Sequence, residues 1–318
     1  MKEHIITKNS AGQRLDKYLC KAIPNLPLSL MHKYCRLKRI KVNGKKTDQA
    51  YRLVEGDSIQ LYINDEFFEV PRTEEAYLRV SDQIDIVYED ENILLVNKPV
   101  GMVVHEDESG TNDTLINRIK SYLYKSGKWD PDDSPFAPSL CNRIDRNTQG
   151  IVIAAKTAEA LRILNEKIKE REIDKYYICI VHGTPKPQSG VLKNFLRRDK
   201  QEKRVFVDKD RSRGALTAET EYKVLSSKNG LSLLRCRLLT GRTHQIRAQL
   251  AAAGHPLVGD TKYGTAAQNK EYPFKGQTLC SYKLIFNFKS DAGCLSYLTG
   301  RSFEIKNIDF KEWFLQNF

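Results

Sequence analysis

The sequence predicts an α+β protein in two parts: a small N-terminal α/β module, and a larger domain built on a mixed, mainly antiparallel sheet with flanking helices. Three observations lead there. The chain has 318 residues, more than one small core accommodates. Its charge is unevenly divided: residues 1–63 carry 13 Lys/Arg and 5 Asp/Glu, or +8 of the net +12, whereas residues 65–91 carry ten acids against Arg72 and Arg79. Beyond residue 84, strand-like and helix-like stretches follow one another without the regular alternation of a doubly wound sheet. The boundaries read 1–63 for the module, 64–83 for an acidic, proline-containing linker and 84–318 for the larger domain.

In the module, GQRLDKYLCKAI (12–23) places Leu15, Leu19 and Ile23 on one helical face. Pro24 and Pro27 end that helix, and Ser29 reads as the N-cap of a second, SLMHKYCRLKRI. IKVNGKK is a strand running into an Asn-Gly turn, and GDSIQLYI is another alternating strand. Between Ser29 and Lys46 stand seven basic residues, Lys33, Arg36, Lys38, Arg39, Lys41, Lys45 and Lys46, and no acid. A solvated basic helix is the plainer reading, but cations crowded onto one helix and the next strand also suit a surface that tracks phosphates.

In the larger domain, IDIVYE and ILLVNK form a hairpin across the turn Asp90-Glu91-Asn92, and Pro99 and Gly101 end its second strand. GTNDTLINRIKSYL includes a helix, and KWDPDDSPFAPS is a loop leading to Asn142. IVIAAK is a strand, 157–170 a helix with Leu161, Leu164 and Ile168 apolar, and KYYICIVHG a strand. Residues 193–213, with nine basic and four acidic side chains, form a hairpin or flap. LSLLRCRLL alternates Leu234, Cys236 and Leu238 against Arg235 and Arg237. In TGRTHQIRAQLAAAGHPLVGDTKYG (240–264), Thr243 caps a helix carrying Ile246 and Leu250, and Gly254 ends it before Pro256.

Composition excludes several classes. No run approaches the ~20 apolar residues of a membrane helix, and the N-terminus lacks the apolar core of a secretory signal. Seven cysteines stand singly at 20, 35, 141, 179, 236, 280 and 294, a pattern of reduced, buried thiols in a cytoplasm rather than of a disulfide framework or zinc site. Phosphate-loop, dinucleotide-fold, HExxH and GxSxG motifs are missing. His244 and His255 have no cysteine or carboxylate at ligand spacing, so structural or hydrogen-bonding roles are expected and no metal. The surplus of positive charge favours a polyanionic partner.

NRIDRNTQG (142–150) holds one carboxylate, Asp145, between Arg143 and Arg146 ahead of the apolar run IVIAA. On those nine residues alone, a surface turn with a casual ion pair is the simpler reading. Three segments in order change that. NKPVGMVVH (97–105), NRIDRNTQGIVIAAK (142–156) and TGRTHQIRAQLAAAGHPLVGDTKYG resemble the RluA-type pseudouridine synthases. The module ahead of them, about residues 12–63, is similar to the alpha-L RNA-binding module also found in a ribosomal small-subunit protein, which makes the RluC/RluD-like branch the nearest resemblance. The likeness runs from residue 12 to about residue 310.

The resemblance implies an isomerase of specific uridines in structured RNA, by its branch large-subunit ribosomal RNA, working as a cytoplasmic monomer without a cofactor. Pseudouridine formation breaks the nitrogen–ribose bond, turns the base and rejoins it through carbon; no water adds and no electrons are exchanged. It needs a carboxylate beside the anomeric carbon, and the family's motif puts Asp145 there, whether it attacks sugar, attacks base or takes a proton. A retaining glycosidase would use two carboxyl groups, and the motif offers one. Burial disfavours an ionised carboxylate, and the family's arginine, here Arg247, opposes that as its partner. By the same resemblance Tyr177, in the Lys175–Gly183 motif, stacks on the uracil and assists the last proton removal, while Tyr176 faces the other way. Arg143 fills the gap left by the flipped nucleotide, and Leu250 packs near the base. Lys33, Arg36, Lys38, Arg39 and Lys41 then belong to the RNA-binding surface of the module. The chain departs from the family's pattern at Asn142, where His is more usual, at Ile144, where Leu is, and at Gln149, where a small residue is. The competing readings are an inactive ribosome-assembly factor on the same fold, a synthase of transfer RNA and a nucleoside hydrolase. Intact Asp145, Tyr177 and Arg247 speak against the first, and the basic module against the last.

Overall fold

The computed structural model describes residues 1–68, 76–106, 110–132, 136–199, 201–208, 210–211 and 214–317. Residues 69–75 of the expected acidic linker, 133–135 of the loop before Asn142 and four positions of the 193–213 hairpin lie outside the described residues.

The first sheet is four-stranded. Strands β1 (Lys2–Ile5), β2 (Ile40–Val42), β3 (Lys45–Lys46) and β4 (Ser58–Leu61) take the order β1-β4-β2-β3. Helices α1 (Leu15–Ala22) and α2 (Leu28–Arg36) supply its cover. Leu15, Leu19 and Ile23 are fully buried with Met31, Ile40, Ile59 and Leu61, so this sheet has a core of its own. Asn43 and Gly44 both adopt positive φ, 51° and 75°, which gives the β2–β3 hairpin the tight turn that Asn-Gly favours. The Ser29 cap needs correction. Pro27 takes the N-cap position, Ser29 lies inside α2, and no side chain caps that end. Proline's fixed φ brings the chain into the helix two residues sooner than the Ser signal implies.

The second sheet has 11 strands, β5 (Ile86–Glu89), β6 (Ile93–Lys98), β7 (Ser139–Leu140), β8 (Gln149–Ala155), β9 (Ile173–His182), β10 (Ser189–Asp199), β11 (Arg204–Asp208), β12 (Leu216–Lys228), β13 (Leu231–Leu238), β14 (Leu279–Phe286) and β15 (Ser302–Glu304). Its order is β11-β10-β12-β13-β9-β14-β8-β6-β5, with β7 on β8 and β15 on β14. Pairing is antiparallel except between β8 and β14, so the mixed, mainly antiparallel sheet expected from the sequence is what the chain forms. Helices α3 (Leu115–Lys125), α4 (Ala158–Lys169), α5 (Gln245–Ala252), α6 (Ala266–Asn269) and α7 (Asp309–Asn317) complete the domain. Thr114 and Thr157 cap α3 and α4 with side-chain hydrogen bonds.

The central strands are buried on both faces, which is why ILLV and IVIAA read as unbroken apolar runs. Ile93, Leu95, Ile151, Ile153, Ile178 and Ile180 point to one side, against Ile163 and Leu164 of α4 and Phe310 and Phe314 of α7. Leu94, Val96, Val152, Tyr177 and Cys179 point to the other, against Leu115 and Ile119 of α3 and Ile246 and Leu250 of α5. Each fully buried aliphatic side chain contributes about 1.5–3 kcal/mol. Tyr177 therefore lies on the α3–α5 side. Tyr176 lies half-buried beside the guanidinium groups of Arg235 and Arg237, 5.8 and 5.9 Å from its ring centre.

At the parallel step, Gly150 has φ of 132°, and a Cβ there would lie 2.4 Å from the carbonyl oxygen of Ser281. Only glycine lets β8 start flush against β14 there. That contact fixes where the preceding loop, Asn142 to Thr148, emerges from the sheet.

Of the seven cysteines, Cys35, Cys179, Cys236 and Cys280 are buried, Cys141 and Cys294 are half-buried, and Cys20 is exposed; all are free thiols. Among the described residues no helix is long and apolar enough to cross a membrane.

Candidate active site

A cleft of about 720 Å³ opens between the loop before β8, the end of α4, β9, the end of β13 and the start of α5. Asp145, Arg143, Tyr177, His244 and Arg247 line it, although they come from the loop before β8, from β9 and from the start of α5.

The loop that presents Asp145 is anchored residue by residue. Ile144 is 6% exposed and packs in the core, which turns its neighbour Asp145 outward. Asn142 accepts the Ile153 amide at 2.8 Å. The Thr148 amide donates to the Asp145 carbonyl at 3.0 Å, closing a turn. Lys98, fully buried, donates from Nζ to the carbonyls of Pro99, Met102 and Arg146 at 2.8, 2.8 and 2.9 Å. Burial pushes that amine down to about 7 and the charge of Asp145 opposes it; three carbonyl acceptors are satisfied only by the ammonium form, with its three N–H groups. Arg146 donates from Nε to the Gly101 carbonyl and accepts the Gly101 amide on its own carbonyl, so NKPVGM and NRIDRN are zipped together.

Arg247 is the centre of the charge arrangement. Its Nη1 donates to Asp145 Oδ2 at 2.9 Å, while Nε and Nη2 make a two-pronged contact with Asp260 at 2.7 and 3.0 Å. Asp260 has no exposed surface and also accepts the amides of Lys262 and Tyr263. Burial works against its ionisation, and the Arg247 guanidinium outweighs burial, holding it below the usual carboxylate range. Two acids thus share one arginine. The wholly buried one fixes the guanidinium and leaves its third edge to Asp145, whose side chain is 24% exposed at the cleft.

Helix α5 is buried on nearly every side, from Gln245 to Leu250. Gln245 and Gln249 pin it to β12: Gln245 Nε2 donates to the Glu219 carbonyl and to Thr220 Oγ1, and Thr220 Oγ1 donates to Gln249 Oε1 at 2.7 Å. The Thr243 cap expected from the sequence is not made. His244 takes that position with φ of 51°, and Gln245 Oε1 accepts the Arg242 amide instead. Gly254 follows the end of the helix with φ of 86°, as expected of a helix-ending glycine.

His244 Nε2 lies 3.8 Å from Asp145 Oδ2, and its Nδ1 is 2.9 Å from the Tyr263 hydroxyl. Burial lowers the imidazole to about 4, with Asp145 opposing, so the ring is neutral at physiological pH. That depression has a stability consequence. In the unfolded chain the ring binds its proton below about 6.5, whereas in the fold it does so only near 4, so the unfolded state holds more protons between those values. Folding stability attached to His244 is intact above pH 6.5 and falls as pH drops towards 4. Urea unfolding of wild type and His244→Gln between pH 7 and 4 is expected to show a shallower decline in the variant; parallel curves would contradict it.

Tyr177 is 6% exposed, and burial pushes its hydroxyl up to about 12, which leaves a neutral ring at the cleft wall. The other two acids lining the cleft are engaged by bases: Asp174 receives Arg237 Nε and Nη2 at 3.1 and 2.8 Å, and Glu219 pairs with Lys193 at 3.0 Å. Among the described residues no group of three His, Cys, Asp or Glu is placed to hold a metal ion. His255 Nδ1 lies 3.0 Å from the His182 carbonyl.

The structure brings Arg143, Asp145, Tyr177 and Arg247 to one cleft. Leu250 is 1% exposed, in the apolar layer with Tyr177 and Ile246 behind the cleft rather than on its wall. Lys33 and Arg36 on α2 and Lys38 and Arg39 in the turn after it are exposed, Lys41 on β2 is half-exposed, and none of them lines this cleft. Sequence reasoning missed Asp260, Tyr263 and Lys98. For Asp260 and Tyr263 the available signal was their place in GDTKYG, the tail of the same long segment as Arg247.

Comparisons with known proteins agree with one another. The family described as RNA pseudouridylate synthase matches residues 92–252. An uncharacterized RNA pseudouridine synthase of Mycoplasma genitalium is 32% identical over 325 residues, covering 98% of each chain. The ribosomal large subunit pseudouridine synthase C of Escherichia coli is 32% identical over 269 residues, 81% of this chain and 78% of that one. Among solved structures, human RNA Pseudouridylate Synthase Domain Containing 4 shares the fold, with a TM-score of 0.58 at 22% identity over 73% of this chain and 92% of that chain.

Proposed function

This chain belongs to the RNA pseudouridylate synthase family, and from that premise we propose that it isomerises uridines of large-subunit ribosomal RNA with Asp145 as the reacting carboxylate. The observation that carries the site assignment is the division of Arg247 between a fully buried Asp260 and a cleft-facing Asp145. An acid so held is fixed at one point in space against a guanidinium, which is what a reaction at an anomeric carbon requires.

The uridine enters the cleft flipped out of its helix or loop, at a cost of a few kcal/mol that structured loops reduce. Arg143, exposed at the cleft rim, occupies the space it vacates. Tyr177 presents a neutral ring for the uracil to stack on. The bond from C1′ to N1 breaks, the base turns, and C1′ joins C5; the proton lost from C5 balances the one gained at N1, so nothing enters or leaves and no cofactor is required. Leu250 supports that wall from behind, by packing under Tyr177 and Ile246. In this reading the protein acts as a monomer, and a cytoplasmic setting suits seven free thiols.

Residues 1–63 form the RNA-holding module in this reading, residues 64–83 the linker and 84–318 the catalytic domain. Lys33, Arg36, Lys38, Arg39 and Lys41 carry that role on a surface with an excess of positive charge. Changing these five to Ala is expected to weaken RNA binding and flatten its dependence on salt, by about 0.7 to 0.9 in log–log slope for each phosphate no longer neutralised. Titrations of one ribosomal RNA fragment at several salt concentrations measure this; an unchanged slope would remove the module from RNA holding. The function itself is tested by nucleoside analysis of ribosomal RNA after incubation with the purified protein, where pseudouridine should replace uridine at defined sites.

A further inference from the structure

We propose that Tyr263 and His244 are positioning residues that aim a neutral N–H at Asp145, with Tyr263 setting the tautomer of His244. The inference rests on the assignment of Asp145 as the reacting carboxylate. It begins at a backbone amide outside the cleft: Val205 N, on β11, donates to the Tyr263 hydroxyl oxygen at 2.9 Å. That amide can only donate, so the phenol oxygen accepts there and has one proton left to give. The imidazole Nδ1 of His244 lies 2.9 Å from the same oxygen. The arrangement that satisfies both groups is Tyr263 O–H donating to an unprotonated Nδ1. A neutral imidazole with Nδ1 bare carries its proton on Nε2, and Nε2 is the atom 3.8 Å from Asp145 Oδ2.

The chain of direction therefore runs from Val205 through Tyr263 and His244 to the carboxylate that Arg247 already holds. At 3.8 Å the last contact is longer than a hydrogen bond, and a small shift on closure of the cleft around RNA would complete it. The opposite tautomer would turn a lone pair towards an anion, a repulsive contact. Surroundings hold the phenol in place: the Arg247 and Arg204 guanidinium groups each lie 5.2 Å from its ring centre, and Lys262 Nζ donates to the Lys203 carbonyl at 2.7 Å, tying the 260–263 turn to the same hairpin. Leu196, Val205, Val207 and Ala248 pack around the ring, so β11 and α5 meet at this residue.

Tyr263→Phe removes the hydroxyl and keeps the ring, its packing and its contacts with both arginines. The test uses the full chain with nitrogen-15 in its histidine rings, and a His244→Gln sample identifies the His244 signals. Wild type should show His244 protonated at Nε2, and Tyr263→Phe a mixture of tautomers. With ribosomal RNA as substrate, kcat of Tyr263→Phe should fall about tenfold with KM within twofold, the reduction expected for one mispointed neutral hydrogen bond. A wild-type His244 protonated at Nδ1 would overturn the proposal. So would an unchanged tautomer in the variant, or a changed tautomer with unchanged kcat. The tautomer is read without substrate, so an inactive wild-type protein, which would sink the functional reading instead, is told apart.

Discussion

Asp145→Asn is expected to abolish uridine isomerisation, lowering kcat on the order of 10⁴-fold or more while RNA affinity stays within a few-fold. The two side chains are nearly the same size, and Asn still offers an oxygen to Arg247 Nη1, which lies 2.9 Å from Asp145 Oδ2 in the wild-type chain. The loop needs no change to hold it: Ile144 in the core, the Lys98 ammonium on three carbonyls and Gly150 against β14 are untouched. What disappears is the negative charge and the electron pair that reaction at the anomeric carbon or the base requires. Single-turnover assays with saturating enzyme separate this chemical effect from any change in binding. Wild-type turnover by the variant would take Asp145 out of the mechanism.

Arg247→Ala should cost both activity and stability. The arginine is 6% exposed and holds Asp260, which has no exposed surface at all. Removing one partner of such a pair leaves a buried charge uncompensated, at about 3–5 kcal/mol. The variant is expected to unfold at clearly lower urea, and its remaining folded fraction should be inactive because Asp145 is left without its anchor. Arg247→Lys restores a positive charge, but a single ammonium cannot span two carboxylates with a two-pronged contact on one of them. It should recover part of the stability and little of the activity. Denaturation curves and initial rates for the three proteins decide this, and an Arg247→Ala protein with wild-type stability would contradict the shared-arginine arrangement.

Much of this was legible in the sequence because local chemistry and tertiary structure point the same way. The i, i+4, i+8 pattern of Leu15, Leu19 and Ile23, the Asn-Gly turn and the Gly254 helix end each state one local preference that the fold keeps. Asp145, Tyr177 and Arg247 were legible through motifs, and the fold brings them to one cleft from three separate elements. Other features depend on partners far away in the chain. Ser29 and Thr243 carry the right chemistry for caps, but Pro27 and Gln245 fix those helix starts first. α5 shows little amphipathic pattern because its polar Gln245 and Gln249 are buried against β12, some 25 to 31 residues earlier. β12, at 13 residues, mixes charged and apolar positions too irregularly to announce a strand; it forms because β10 and β13 flank it. Asp260 lies 13 residues from Arg247 and 115 from Asp145, so only the folded chain reveals that it belongs to the same charge cluster.

The most direct test of the account is the fate of the uridine itself. Ribosomal RNA lacking modification is incubated with wild-type protein or Asp145→Asn, then digested to nucleosides and separated. The account predicts pseudouridine from wild type with an equal decrease of uridine, no free uracil, and no pseudouridine above background from the variant. Free uracil with abasic RNA, or pseudouridine formed equally by both proteins, would contradict it.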